Sequence, residues 1–306
     1  MKIKIIAEVA QGYMGNSDFV RDYIKISKNI SADILKFQLI YADELATKNY
    51  KYYKLFKSLE ISNKEWVKLI KFANKNKVTL AFDIFGPKSL NLAIENNINY
   101  IKVHQMDLEN YSFLNQIARS RIQNIILGIS GSNLSILNKV KNILKEKKLI
   151  FIYGHQNYPT DNYKMQLSKI NYLKKLNTFK QSSFGYADHS ETFIDSLLFS
   201  SLAIGQNINY IEKHITFNKI SKYEDYESAI NPDEFKSYAT KLKKLSQVVE
   251  NLSIYKVTSD EDKYKKNIQK VVVASKDIKK NSVLNKKNIA LKRNNTHKFF
   301  DKNLEF

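Results

Sequence analysis

Eight short runs of β-branched and other apolar residues recur along the chain, at 3–8, 33–38, 78–85, 100–105, 124–129, 149–154, 183–187 and 209–214. Longer stretches with helical spacing lie between them. In 64–76 the residues Trp66, Val67, Leu69, Ile70 and Ala73 share one face, and 134–146 and 192–204 repeat the pattern. Strand–helix alternation of this kind builds parallel βα units, because a parallel neighbour can be reached only by a crossover. Eight units in roughly 250 residues fit a closed (β/α)8 TIM barrel, an α/β fold, better than an open doubly wound sheet. No G-x-G-x-x-G follows the first run, which counts against a dinucleotide fold.

Polar residues gather where these runs end. Glu8 closes the first, Lys36 and Gln38 the second, and Asp83 stands in the third. Lys102, His104 and Gln105 end the fourth, Ser130 and Ser132 follow the fifth, and His155, Asn157 and Tyr158 follow the sixth. Asp188 and His189 follow the seventh, and Glu212 and His214 end the eighth. In a parallel barrel all of these positions converge on one mouth, where such folds carry their chemistry. Each residue alone has an ordinary explanation: a lysine pairs with a carboxylate, a histidine is hydrogen-bonded in the core, a Gly-Ser turn is only a turn. What distinguishes the set is its coincidence at all eight ends of otherwise apolar runs.

Lys36 and Lys102, from separate strands, suit a clamp on a phosphate or a carboxylate. The Ser130-Gly131-Ser132 turn precedes a helix and offers hydroxyls and backbone N–H groups to an anion. His189 and His214 belong to adjacent strands, so two imidazoles can share a divalent ion that keeps open positions for Lewis-acid work. Glu8, Asp83, Asp188, Glu212 and Asp225 supply acid–base and hydroxyl-binding groups. Together they imply an anionic phosphorylated substrate, a polarised carbonyl and a polyhydroxylated partner.

The formal charge of +20 raises the question of nucleic acid, which the residue types answer against. Only Arg21, Arg119, Arg121 and Arg293 are arginines, the residue best suited to bidentate phosphate and base recognition. The lysines are spread along the chain at spacings of solvated helix faces, as in Lys139, Lys141, Lys145, Lys147 and Lys148. Absence of cysteine excludes disulfides, thiolate zinc sites and a cysteine nucleophile. No apolar stretch reaches the roughly 18 residues of a membrane span, and no leader-like segment precedes the first run, so a cytoplasmic location without a membrane partner is expected.

Pro232-Asp233-Glu234 opens the last barrel helix, over 232–250, with Asn231 as its cap. The expected organisation is a barrel over 1–253, a polar linker over 254–269 and a small unit over 270–306. Within that unit the run Val271-Val272-Val273-Ala274 is followed by 276–284 and by 285–289, which reads as helical. At under 40 residues it cannot hold a core of its own and must dock on something.

Several motifs, in order, resemble the sialic acid synthase (N-acetylneuraminate synthase) family. They are Ala7-Glu8 with Gly15, Ala32-Asp33 with Lys36-Phe37-Gln38, Lys102, Asn157-Tyr158-Pro159-Thr160, Gly185-Tyr186-Ala187-Asp188-His189, Glu212-Lys213-His214 with Thr216, and Asp225 ahead of Pro232-Asp233-Glu234-Phe235. The resemblance implies condensation of phosphoenolpyruvate (PEP) with an amino-sugar aldehyde. Lys36 and Lys102 would contact PEP near Asn157 and Tyr158; His189 and His214 would bind Mn2+ or Mg2+; Glu8, Glu212 and Asp225 would face the sugar. The segment 270–293 resembles the first part of the family's antifreeze-like (SAF) domain, here an incomplete one. By that likeness the protein is a homodimer in which Arg293 reaches the neighbour's mouth. Asp83, His104, Gln105 and Ala187 depart from the family's phosphate-binding pattern. A related barrel aldolase using another anionic donor and a non-catalytic sugar-binding protein are the alternatives.

Overall fold

Eight parallel strands pair in sequence, and the first also pairs with the last, which closes the sheet into a barrel. They are β1 (Lys4–Ala10), β2 (Ile34–Gln38), β3 (Leu80–Ile84), β4 (Tyr100–Val103), β5 (Asn124–Gly128), β6 (Lys148–Tyr153), β7 (Ser183–Asp188) and β8 (Tyr210–Ile215). The helices of this part are α1 (Ser17–Ser27), α2 (Ala42–Leu45), α3 (Tyr53–Ser58), α4 (Asn63–Lys75), α5 (Pro87–Glu95), α6 (Tyr111–Arg119), α7 (Leu134–Ile143), α8 (Ser168–Lys175), α9 (Phe193–Gly205) and α10 (Pro232–Val248). A two-residue strand, β9 (Ala229–Ile230), adds to the end of β8. The computed structural model describes residues 3–155, 164–249 and 256–294, and its contacts fall into two units, Met1–Asn251 and Leu252–Phe306. Among the described residues no helix is long and apolar enough to cross a membrane.

Every expected strand is present, because period-two alternation separates two apolar environments. Ile6, Ile34, Ala81, Tyr100, Ile126, Ile150, Ile152, Ala187 and Tyr210 form one buried cluster, the barrel interior. Their strand neighbours Ala7, Leu35, Phe82, Ile101, Ile125, Phe151, Tyr186 and Ile211 face outward into a larger cluster shared with the helices. Lys4 donates to the Tyr100 hydroxyl (2.8 Å) at the N-terminal end of the interior. Two residues further along β1, β2, β3, β4 and β8 from the interior layer stand Glu8, Lys36, Asp83, Lys102 and Glu212, so the alternation that packs the interior aims these five at the C-terminal mouth.

Local signals fix the helix starts. Asn16, Ser62, Asn110, Asn133 and Thr192 each accept a backbone N–H of the first turn. At α10 the Glu234 carboxylate accepts the Asn231 N–H (2.9 Å), while the Asn231 side chain accepts from Lys219 N–H (2.9 Å) and ties the β8–β9 loop to the helix. Gly15 has φ +67°, and a Cβ there would collide with the Ser58 carbonyl, so the turn into α1 passes α3 only as glycine.

The second unit departs from expectation twice. A helix, α11 (Ser259–Ile268), stands where a linker was expected. It has no apolar face to announce it; Thr258 and Glu261 cap each other's N–H groups (3.2 and 2.7 Å), and Lys266 pairs with Asp262 at 2.6 Å. The strands β10 (Val271–Ala274) and β11 (Ile289–Lys292) pair antiparallel. The expected helix at 285–289 is a turn leading into β11, held by Asn288 Oδ1 on Asn285 N–H (2.8 Å) and Asn285 Oδ1 on Lys287 N–H (2.9 Å).

Trp66, on α4, is 1% exposed and meets Tyr13, Phe37 and Phe82 edge-on at 5.8, 6.0 and 5.3 Å between ring centroids. Replacing it empties the layer between α4 and strands β2 and β3. Trp66→Ala is expected to lower unfolding free energy by about 3–5 kcal/mol, read from denaturant melts followed by circular dichroism. A loss below about 1 kcal/mol would contradict this packing.

Candidate active site

Glu8, Gln38, Asp83, Lys102, His104, Ser130, His189, Glu212, His214 and Asp225 line one cavity at the C-terminal end of the barrel strands. Lys36 lies beneath it with no solvent exposure. Its ammonium makes an ion pair with Glu8, lies 2.9 Å from Asp83 Oδ1 and 3.7 Å from Glu212 Oε2. Lys102 donates to Glu212 Oε1 at 2.6 Å. Glu212 therefore stands between the two lysines. The register explains the meeting, since Glu8 pairs with Lys36, and Asp83 with Lys102, across neighbouring strands.

Burial raises the Glu212 carboxyl, but Lys102 and Lys36 outweigh it and hold the group down at about 2. Burial lowers the Lys36 ammonium against the opposing pull of Asp83 and Glu212. The histidines behave differently. Burial brings His189 to about 4, and burial with the nearby His189 brings His214 well below its usual value. Both rings are thus neutral near pH 7. Their centroids are 5.6 Å apart. His189 Nδ1 lies 2.9 Å from the His155 carbonyl, which can only accept, so Nδ1 carries the proton and Nε2 keeps its lone pair. Two neutral imidazoles side by side fit a divalent cation with most positions open. Among the described residues no group of three or more histidine and acidic side chains is arranged to hold a metal by itself.

Asp225 has a left-handed backbone, φ 64°, and accepts the Gln11 N–H through Oδ2 at 3.1 Å. Burial lifts its carboxyl to about 6, with Gln11 opposing and Glu224 and Glu227 adding to the rise. Gln38 accepts from Gln11 Nε2 at 3.0 Å. The Ser130 hydroxyl donates to the Gly154 carbonyl and accepts the Gly154 N–H (3.2 Å), so it is tied to the end of β6. A Cβ at Gly154 would collide with the Ala187 carbonyl; glycine there lets the ends of β6 and β7 approach at the cavity wall.

Two expected residues take other places. Ser132 lines a neighbouring cleft with Tyr153 and Tyr172. Asp188 faces away from the cavity, because it alternates with Ala187 and His189, and it pairs with Lys213 at 2.7 Å with neither side chain exposed. Arg293 follows β11 in the second unit and is exposed. Asn157 and Tyr158 lie outside the described residues. His104, Gly128, Ile152, Gly154 and Ala187 also line the cavity. His104 carries a chemical signal in the sequence, as a histidine two residues beyond Lys102. Burial and the Lys102 charge take it to about 4, and among the described residues its buried Nδ1 has no hydrogen-bond partner.

Fold and cavity together define a (β/α)8 barrel protein with a lysine–carboxylate–imidazole centre at its C-terminal mouth. The chain belongs to the NeuB family, whose model matches residues 23–254. It is 26% identical to the N,N'-diacetyllegionaminic acid synthase of Campylobacter jejuni, over 95% of this chain and 90% of that protein. It is 24% identical to the human N-acetylneuraminate-9-phosphate synthase, over 75% of this chain and 66% of that protein. The sialic acid synthetase of Leptospira borgpetersenii, solved in complex with citrate, superposes with a TM-score of 0.78 at 23% identity, covering 87% of this chain and 92% of that one. A putative spore coat polysaccharide biosynthesis protein E of Chromobacterium violaceum superposes at 0.80 with 19% identity, covering 95% and 89%. These two superpositions establish the shared fold.

The raised Asp225 carboxyl has a consequence for stability. A folded pKa above the unfolded one stabilises fully below about pH 4, and the contribution is lost as pH rises through about 6. Asp225→Asn should match the parent near pH 4 and exceed its stability above pH 7, by up to about 3 kcal/mol. Melts of both proteins across that range check this; a gap that does not grow with pH would show that Asp225 ionises without penalty.

Proposed function

We propose that this protein condenses PEP with an N-acetylated amino-sugar aldehyde, forming a sialic-acid-like nonulosonic acid and phosphate. The observation that carries the reading is that Lys102, Glu212, Asp225 and a neutral imidazole pair line one cavity with the Lys36 ammonium buried beneath it. Membership of a family whose relatives are named as synthases of legionaminic and N-acetylneuraminic acid derivatives supports the same class.

His189 and His214 would hold the divalent cation, Mn2+ or Mg2+, which supplies Lewis-acid polarisation of a carbonyl when bound. Formal charges support its involvement. Glu8, Asp83 and Glu212 outnumber Lys36 and Lys102, so the cluster alone repels an anionic donor, and a divalent cation reverses that balance. Lys102, on the cavity wall, orients the donor's anionic groups, and Lys36 adds positive charge from beneath. Glu212, ionised throughout the neutral range, holds both ammoniums and cannot deliver a proton there. Asp225 can, because a carboxyl near 6 exchanges protons at working pH; Oδ2 is engaged by Gln11, which leaves Oδ1 for a substrate hydroxyl. The sequence of bonds is attack by the PEP methylene carbon on the aldehyde, addition of water at C2, and loss of phosphate by C–O cleavage.

A second reading, a barrel aldolase with another anionic donor, is favoured by Asp83. Its carboxylate already engages Lys36 and weakens that lysine's pull on a phosphate.

Mixing the protein with Mn2+, PEP and N-acetylmannosamine-type sugars is expected to release phosphate in step with a new 2-keto acid, and EDTA to stop it. His189→Ala should reduce the rate about 100-fold or more with the fold retained. A 2-keto acid formed from pyruvate, with PEP inert, selects the second reading. Full activity in EDTA removes the metal role.

A further inference from the structure

Asp188 and Lys213 are register partners on β7 and β8, each one residue before a histidine of the proposed metal pair. Both side chains are fully buried on the outer side of the barrel wall. Lys213 Nζ lies 2.7 Å from Asp188 Oδ2 and donates to the Ser190 carbonyl at 2.8 Å. Asp188 Oδ1 accepts from the Ser190 hydroxyl at 2.6 Å and from the Tyr186 hydroxyl at 3.1 Å. One ammonium on β8 therefore grips the residues on both sides of His189, and it does so from the position adjoining His214. The His189 carbonyl is held as well, by the Ser228 hydroxyl at 3.1 Å.

Stability alone does not call for this arrangement. Other outward positions on the same strands, Phe184, Tyr186, Ile211 and Ile215, are filled by large apolar or aromatic side chains. A buried ion pair costs desolvation that an apolar pair of similar volume avoids, and the best-attested return is a fixed register. The register fixed here is that of the two histidines. We propose that Asp188 and Lys213 are positioning residues: their cross-strand bridge sets the spacing of His189 and His214 so that the two rings can share one divalent cation. Asp188, expected from its place beside His189 to bind substrate, thus acts through the barrel wall. The inference rests on the two-histidine metal reading.

The test measures Mn2+ dissociation constants from the EPR signal of free Mn2+, with full-length protein, beside thermal melts. Asp188→Asn/Lys213→Met removes both charges, so no buried ion is left unpaired, and it should melt cooperatively. Its Mn2+ affinity is expected to fall about 10–100-fold, the usual effect of losing groups that orient metal ligands. Asp188→Glu keeps both charges, so no buried ion is left unpaired, and its longer arm displaces the bridge; it is expected to bind several-fold more weakly and serves if the double variant does not fold. A folded variant of either kind that binds Mn2+ within twofold of the parent overturns the bridge's role and leaves the metal reading standing. A parent protein that binds no Mn2+ overturns both.

Discussion

An ammonium with no solvent exposure, surrounded by three carboxylates, is the interaction on which the rest depends. Lys36 would be untenable inside the barrel without Glu8, Asp83 and Glu212, since an unpaired buried charge costs several kcal/mol. Glu8 and Asp83 come from β1 and β3, the strands that flank β2, and Glu212 comes from β8, so the third side of the cage exists only when the sheet has closed. Closure in turn brings Glu212 against Lys102 and sets His214 beside the end of β1, opposite Glu8. Barrel topology and polar centre therefore specify one another. An open sheet would leave Lys102 and Glu212 apart, and a barrel without these ions would leave its mouth without chemistry.

The cavity divides its work by environment. Lysines and carboxylates neutralise one another on the β1–β4 side and through Glu212, while burial keeps the histidines on the β7–β8 side neutral. Neutral imidazoles attract cations where charged ones would repel them. Asp225 occupies a third environment, in which burial lifts its carboxyl to about 6. Three kinds of group, fixed charge, neutral donor and proton carrier, thus arise from one ring of strand ends.

The barrel was legible in the sequence because alternation within each run and polar residues at each end both follow from strand geometry. The five inward-facing ions could be read for the same reason. Asp188 could not be read from adjacency to His189, although period two already implies that neighbours on a strand face opposite ways; its partner Lys213 follows the same rule beside His214. Gly154 and Ala187 shape the cavity by being small, which leaves no chemical mark in the sequence. Ser132 stands beyond the turn that Gly131, at φ +75°, allows, and so opens on another cleft. The helix Ser259–Ile268 escaped notice because caps and ion pairs, not an apolar face, stabilise it.

Phosphorus NMR of a reaction run with PEP labelled with 18O at the bridging oxygen shows which bond to phosphate breaks. Addition of water at C2 followed by C–O cleavage sends the labelled oxygen into phosphate, where it shifts the 31P resonance. Retention of the label in inorganic phosphate, with a new 2-keto acid from an N-acetylated amino sugar, is the expected result. Unlabelled phosphate, which signals cleavage of the P–O bond, or no turnover of PEP with any such sugar, would contradict it.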